Sequence, residues 1–170
     1  MTRYLVDTNV ISAGAPTAAV RRPDLIAWMD SHSPQLFLSA VTIAEIADGI
    51  AKGSLLRGRI FGRKTGSHFS GKCSKREGAR RKASDLSAWL RTVLHLYGDR
   101  VLPFDSPTAE IASGLADLAR GRGHAPGFAD IAIAATARRH DLTILSRNAR
   151  HFAPMDAAVV DPFHELPPAK

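Results

Sequence analysis

The sequence contains only one cysteine, Cys73, among its 170 residues. A single thiol excludes an internal disulfide and also a zinc site built from several cysteines. The sequence has no apolar run near the roughly 20 residues that a membrane-spanning helix needs, and its N-terminus enters a strand-like segment without a signal-peptide pattern. Together these absences predict a cytosolic protein.

Acidic residues are scarce in one segment, from Lys52 to Lys82. This window contains eleven lysines and arginines and one acidic residue, Glu77, which gives it a net charge of +10. The whole chain carries +7, so the remainder sums to −3. Such a segment suits contact with nucleic acid or another polyanion, although a solvated basic loop has the same composition.

The length predicts one domain spanning residues 1–170. Strand-like and helix-like segments alternate along it, which predicts an α/β fold with a parallel sheet covered on both faces. Gly53 to Gly78 has no sustained period and is expected to be a long loop or partly disordered excursion. The predicted strands are 3–6, 36–38, 101–104, 142–145 and 159–160, and the predicted helices are 23–31, 40–52, 85–97, 106–120 and 126–140.

Three polar residues, Asp7, Thr8 and Asn9, directly follow the first predicted strand. In open parallel sheets, ligands gather beyond the carboxyl ends of the strands, so a carboxylate at this point is well placed to bind a metal ion. The alternative is that Asp7 only caps the helical turn that begins after it.

Three further polar residues lie near predicted helix starts or after a predicted strand. Glu45 lies in an apolar helical stretch, where it could also close a capping box with Thr42 or point into solvent. Asp130 falls in the first turn of a helix and could simply complement the helix dipole. Asn148 follows the fourth strand. In a parallel α/β fold all of them can converge on one edge of the sheet, and their oxygen atoms favour Mg²⁺ or Mn²⁺ over zinc.

The chain resembles the PIN-domain ribonucleases, in particular the VapC-type toxins of bacterial toxin–antitoxin pairs. The matching pieces occur in the family's order and cover most of the chain apart from roughly 53–83. They are YLVDTNVIS at 4–12, LSAVTIAEI at 38–46, RVLPFD at 100–105, ADIAIAATA at 129–137 and LTILSRN at 142–148. The resemblance implies a PIN-like three-layer α/β/α sandwich with a central parallel sheet of four to five strands. It also implies Mg²⁺-dependent RNA cleavage, a cognate antitoxin that blocks the site, and a homodimer.

Residue by residue, the resemblance implies roles for seven side chains. Asp7, Glu45 and Asp130 match the acidic positions that hold the metal, and Asn148 matches a position that is Asp or Asn in the family. Thr8, Asn9 and Ser146 would orient these ligands or their waters. One departure is His151, which stands where the family often has aspartate, so a second metal would bind weakly or only with substrate.

The basic segment allows two interpretations. Arg80, Arg81 and Lys82 could grip RNA phosphates, or the segment could be an interface element for the antitoxin and the second subunit. His140 and His151 are further candidates for a catalytic acid, although histidine at a surface is usually only solvated.

Two alternative functions remain open at this point. One is a PIN-like protein that binds RNA or its antitoxin without cutting. The other is a small-molecule phosphohydrolase with Asp7 as nucleophile, which usually requires a second aspartate where Asn9 stands. Mg²⁺-dependent release of RNA fragments would separate the nuclease from both.

Overall fold

The computed structural model of the protein describes residues 2–18, 22–59 and 70–168. Within these ranges no helix combines the length and the apolar character that crossing a membrane requires. The strands are β1 Tyr4–Val6, β2 Leu36–Ser39, β3 Val101–Leu102, β4 Thr143–Leu145 and β5 Val159–Val160. The α-helices are α1 Thr8–Ile11, α2 Pro23–Ser31, α3 Ala40–Arg59, α4 Ser70–Tyr97, α5 Ser106–Gly121, α6 Phe128–His140 and α7 Ala149–Phe152.

The five strands form one parallel sheet in the order β3-β2-β1-β4-β5. The chain adds β2 and β3 on one side of β1 and then crosses to add β4 and β5 on the other side. The strand order therefore reverses between β1 and β4, and in open α/β sheets the crevice at this reversal binds ligands. The predicted α/β/α fold with a parallel sheet of four to five strands is confirmed.

Alternating residues of the central strands supply two separate cores. Tyr4 and Val6 belong to a buried cluster with Leu25 and Trp28 of α2, whereas Leu5 belongs to a second cluster with the α6 alanines. Since successive side chains of a strand point to opposite faces, the sheet is covered on both faces. The backbone at the end of β1 is thereby held by packing from both sides.

The prediction of a long loop from Gly53 to Gly78 is wrong at both of its ends. Helix α3 continues to Arg59, and α4 begins at Ser70 instead of Ser84–Asp85. The rest of the predicted loop, 60–69, lies outside the described residues. Glycine and serine lower helix propensity only modestly, and tertiary packing between α3 and α4 overrides it.

Helix α5 begins at Ser106 as predicted, and Asp105 caps it by accepting a hydrogen bond from the Thr108 backbone N–H at 3.3 Å. Helix α6 begins at Phe128, two residues later than predicted, with Gly127 at the cap position. This shift does not move Asp130 out of the first turn of α6.

Candidate functional site

The candidate site lies where β1 and β4 end side by side. The backbone N–H of Asp7 donates to the carbonyl of Leu145 at 3.0 Å, which extends the β1–β4 pairing by one residue. Asp7 and Ser146, the residues that follow these two strands, are both buried. The reversal of strand order therefore presents a carboxylate and a hydroxyl to one crevice.

Three donors hold the Asp7 carboxylate. Its Oδ1 accepts from the Thr8 backbone N–H at 2.7 Å. Its Oδ2 accepts from Asn9 Nδ2 at 2.7 Å and from Ser146 Oγ at 2.6 Å. Asp7 does cap α1, as the structural alternative held. The cap uses one oxygen, while the other accepts from a side chain of α1 and from one that follows β4, so the carboxylate has one fixed orientation.

The electrostatic environment of Asp7 disfavours its charged form. Burial is the largest cause and raises the pKa of Asp7 above the ordinary carboxyl value, and the nearby charge of Asp130 raises it further. The hydrogen bonds from Ser146, Thr8 and Asn9 act in the opposite direction but do not cancel burial. Among the described residues no lysine or arginine forms an ion pair with Asp7.

Glu45 reaches the network through Thr8. The Thr8 hydroxyl donates to Glu45 Oε2 at 2.5 Å, which joins the start of α1 to the second turn of α3. The capping box with Thr42 does not form, because Ser39 caps α3 by accepting from the Val41 N–H at 3.2 Å. Glu45 is half-buried and faces the site.

Asp130 approaches Asp7 from α6 and is half-buried. Its influence on the pKa of Asp7 shows that the two carboxylates are electrostatically coupled. Asp130 Oδ2 lies 3.4 Å from His151 Nδ1. The histidine that replaces a frequent family aspartate therefore contacts one of the predicted metal ligands. His140, the other candidate acid, lies at the opposite end of α6, roughly 15 Å from Asp130 along the helix axis, and is outside the site.

Ser146 organises the residues after β4. Its Oγ accepts from the Asn148 backbone N–H at 3.0 Å and contacts Asn9 Nδ2 at 3.2 Å. Asn9 Oδ1 in turn accepts from the Arg147 N–H at 3.0 Å. Asn148 is exposed and does not cap α7 with its side chain. The structure therefore brings the backbone N–H of Asn148 into the hydrogen-bond network and leaves its side-chain amide exposed to solvent.

The donor chemistry at this edge fits a hard divalent cation. The candidate ligands are carboxylate oxygens, and a buried carboxylate without a cationic partner gains from a nearby cation. The carboxylates do not form a closed ligand set, since no three His, Cys, Asp or Glu side chains lie close enough to hold a metal within the described residues. Asp130 acts on the pKa of Asp7, whereas Glu45 contacts the network through the Thr8 hydroxyl.

A cleft of about 470 Å³ opens beside the network. One part of its wall is polar and the other is apolar. The polar part includes Thr8, Asn9, Glu45 and Arg147, and the apolar part includes Ile46, Ile50, Leu86, Trp89 and Phe163. This cleft gives Glu45 direct access to solvent and to a ligand.

The three predicted RNA-binding cations lie on α4. Arg80, Arg81 and Lys82 are exposed, and Arg81 forms an ion pair with Glu77 at 3.3 Å. Leu86, which lines the cleft, follows Lys82 by four residues, or roughly 6 Å along the helix axis. The cations therefore stand on the helix that forms the cleft wall, about one turn from it.

The sequence patterns did not indicate Arg147 or Phe163. Arg147 stands inside the LTILSRN segment at 142–148 without a role of its own there, and Phe163 follows the last strand in a short proline-containing tail. In the structure both line the cleft, and the Arg147 guanidinium carbon lies 5.4 Å from the centroid of the Phe163 ring. This contact depends on the path of the tail, which has no periodic signal.

Comparisons with known proteins agree with this geometry. The family model described as PIN domain matches residues 4–157. Toxin FitB of Neisseria gonorrhoeae is 34% identical over 163 residues, which cover 95% of this chain and 99% of FitB. VapC ribonuclease Y4jK of Sinorhizobium fredii is 30% identical over 97% of this chain and 99% of its own. The crystal structure of FitAcB from Neisseria gonorrhoeae superposes with a TM-score of 0.71 at 32% identity, covering 95% of this chain and 99% of that chain.

The pKa of Asp7 predicts a pH-dependent effect of the substitution Asp7→Asn. Because the folded-state pKa is raised, the contribution of Asp7 to stability is fully present below the unfolded carboxyl pKa and is lost as pH rises through the folded value. Without divalent metal, Asp7→Asn should therefore be more stable than the wild type at about pH 7, by roughly 0.5–2 kcal/mol. Near pH 4 this advantage should vanish, because the buried Asp7 carboxyl is then largely uncharged. The asparagine amide also offers one acceptor fewer to Asn9 and Ser146. Urea denaturation across this range measures it.

Asp117→Asn is the matched control, because Asp117 is an exposed carboxylate on α5 that pairs with Arg120. Asp117→Asn should not be more stable than the wild type at about pH 7. An offset for Asp7→Asn that is the same at every pH would show that burial does not disfavour the Asp7 charge.

Proposed function

Since the chain belongs to the PIN domain family, we propose that it is a divalent-metal-dependent endoribonuclease, a toxin that a cognate antitoxin neutralises. The observation that carries the proposal is the buried Asp7 carboxylate beside Asp130. No lysine or arginine of the described residues forms an ion pair with Asp7. The names of two relatives, Toxin FitB and VapC ribonuclease Y4jK, support the same class. The oxygen donors favour Mg²⁺ or Mn²⁺.

The roles of the residues follow from their contacts. Asp7 and Asp130 would be direct ligands of the cation. Glu45, whose carboxylate accepts from the Thr8 hydroxyl, would complete the ligand set. When bound, a divalent cation neutralises charge on a phosphodiester and lowers the pKa of water. Ser146 and Asn9 fix the Asp7 carboxylate in one orientation, and Thr8 does the same for Glu45. Such fixed hydrogen bonds keep ligands in place without reorganisation during the reaction.

The cleft suits neutralisation by a protein partner. Its apolar wall can bury hydrophobic side chains of an antitoxin segment, while a cation from that segment would meet Glu45. An antitoxin bound there would cover the approach to the carboxylates. A homodimer of the toxin forms part of the same proposal.

We expect Asp7→Asn to abolish RNA cleavage while the fold is retained. Removing one ligand charge should lower cleavage more than about 100-fold, since even residues that only orient metal ligands contribute 10–100-fold. Ser146→Ala should fall within that smaller range. Cleavage of a labelled RNA in Mg²⁺ measures both, and a chelator should stop the wild type reversibly.

Asp117→Asn is again the matched control and should cleave like the wild type. Undiminished cleavage by Asp7→Asn in excess chelator would rule out a metal nuclease. Mg²⁺-independent RNA binding without any fragments, from the wild type, would instead favour a PIN-like protein that binds but does not cut.

The cations of α4 should contribute to RNA affinity. On single-stranded RNA, each phosphate contact contributes about −0.7 to the slope of log affinity against log salt. Replacing Arg80, Arg81 and Lys82 together with Gln should weaken RNA binding and reduce this slope by up to about 2. Fluorescence anisotropy at several salt concentrations measures the slope.

Arg120→Gln, which removes an exposed arginine of α5, is the control and should leave the slope unchanged. Mn²⁺ affinity should not change in the triple variant. An unchanged slope combined with weaker dimer or antitoxin binding would assign these cations to an interface.

A further inference from the structure

We infer that Arg147, held in place by Phe163, binds an RNA phosphate beside the scissile bond. This inference rests on the proposed ribonuclease function and names a substrate-binding residue together with the residue that positions it. Phe163 lies beyond residue 157, where the match to the family model ends.

The backbone of Arg147 is tied to the candidate metal site. Its N–H donates to Asn9 Oδ1 at 3.0 Å, and Asn9 donates to the Asp7 carboxylate at 2.7 Å. Its side chain forms part of the cleft wall together with Glu45 and Thr8. A ligand that spans the cleft and the carboxylates therefore passes the Arg147 guanidinium.

The charge of Arg147 is available to a ligand. Arg147 is exposed and forms no ion pair with any Asp or Glu of the described residues. Its guanidinium carbon lies 5.4 Å from the Phe163 ring centroid, within the range of a cation–π contact. A cation–π contact leaves N–H donors of the guanidinium free to bind a ligand. These donors match the oxygen atoms of a phosphate.

A second arginine near Phe163, Arg22, differs from Arg147 in that its charge is paired. Arg22 lies 5.7 Å from the same ring, but it forms an ion pair with Asp24 at 2.7 Å and donates to the Phe163 carbonyl at 3.0 Å. Arg22 does not line the cleft. One arginine thus anchors the tail, and the other is presented to the cleft.

The tail itself is fixed to the core. Phe163 and Leu166 pack against the buried cluster that contains Trp28, and the Trp28 indole N–H donates to the Pro167 carbonyl at 3.0 Å. Asp161 accepts from the Phe163 N–H at 2.9 Å. Phe163 is therefore a rigid support, and it limits the rotamers that Arg147 can adopt without supplying a charge.

The test compares Arg147→Gln, Phe163→Leu and their double variant with the wild type. Arg147→Gln should raise KM for RNA about tenfold with little change in kcat, because a ground-state phosphate contact is lost. Its salt slope should fall by about 0.7. Phe163→Leu should raise KM less and keep kcat, and the double variant should be no worse than Arg147→Gln, since Phe163 acts through Arg147.

Two controls separate positioning from a structural effect. Phe163→Tyr keeps the ring and should keep the wild-type KM, and Arg120→Gln removes an exposed, paired arginine of α5 and should leave KM and salt slope unchanged. Tryptophan fluorescence, to which Trp89 and the tail-bound Trp28 both contribute, reports whether the tail stays attached in each variant. Mn²⁺ affinity measured without RNA should be the same in all of them.

A wild-type KM and salt slope for Arg147→Gln would overturn the inference. So would additive effects in the double variant, which would mean that Phe163 acts independently of Arg147. Unchanged RNA binding with weaker antitoxin binding would assign Arg147 to the protein partner. If the wild type fails to cleave any RNA, the proposed function fails, while the salt dependence of RNA binding still tests Arg147.

Discussion

The candidate site is organised around one buried carboxylate, that of Asp7, at the point where the strand order of the sheet reverses. The two cores fix the end of β1, so Asp7 cannot move into solvent to recover its hydration. Its pKa is raised because burial and Asp130 outweigh three hydrogen bonds. A site that destabilises its own negative charge in this way gains from binding a divalent cation. The metal-free protein is less stable as a consequence, which is a common cost of a functional site.

The hydrogen-bond network carries this constraint outward from Asp7. Thr8 links Asp7 to Glu45 of α3, and Asn9 links Asp7 to the backbone N–H of Arg147. Glu45 and Arg147 consequently face the same cleft with opposite charges. A metal and a phosphate can therefore be held by neighbouring groups of one rigid framework, which is the arrangement that phosphodiester cleavage requires.

The local sequence pattern was sufficient to predict the strands and the polar residues that follow them. β1 and β4 are short apolar runs, and parallel strands place their carboxyl ends at one edge, so Asp7 and Ser146 could be brought together from the sequence. The extension of α3 and α4 was missed, because Gly53, Gly71 and Gly78 suggest a loop while packing between the two helices favours helix. The contact of Arg147 with Phe163 was missed because a tail without periodicity gives no indication of where it packs.

We propose that Asp7 and Asp130 share a divalent cation, and a crystal soaked in Mn²⁺ and measured at the manganese absorption edge tests this most directly. We expect an anomalous peak between the two carboxylates, with an oxygen of each as ligand and Glu45 turned toward it. Asp7→Asn crystals soaked in the same way should lack the peak. Full occupancy by Mn²⁺ elsewhere on the protein, with Asp7 and Asp130 left without it, would show that these carboxylates do not form a metal site.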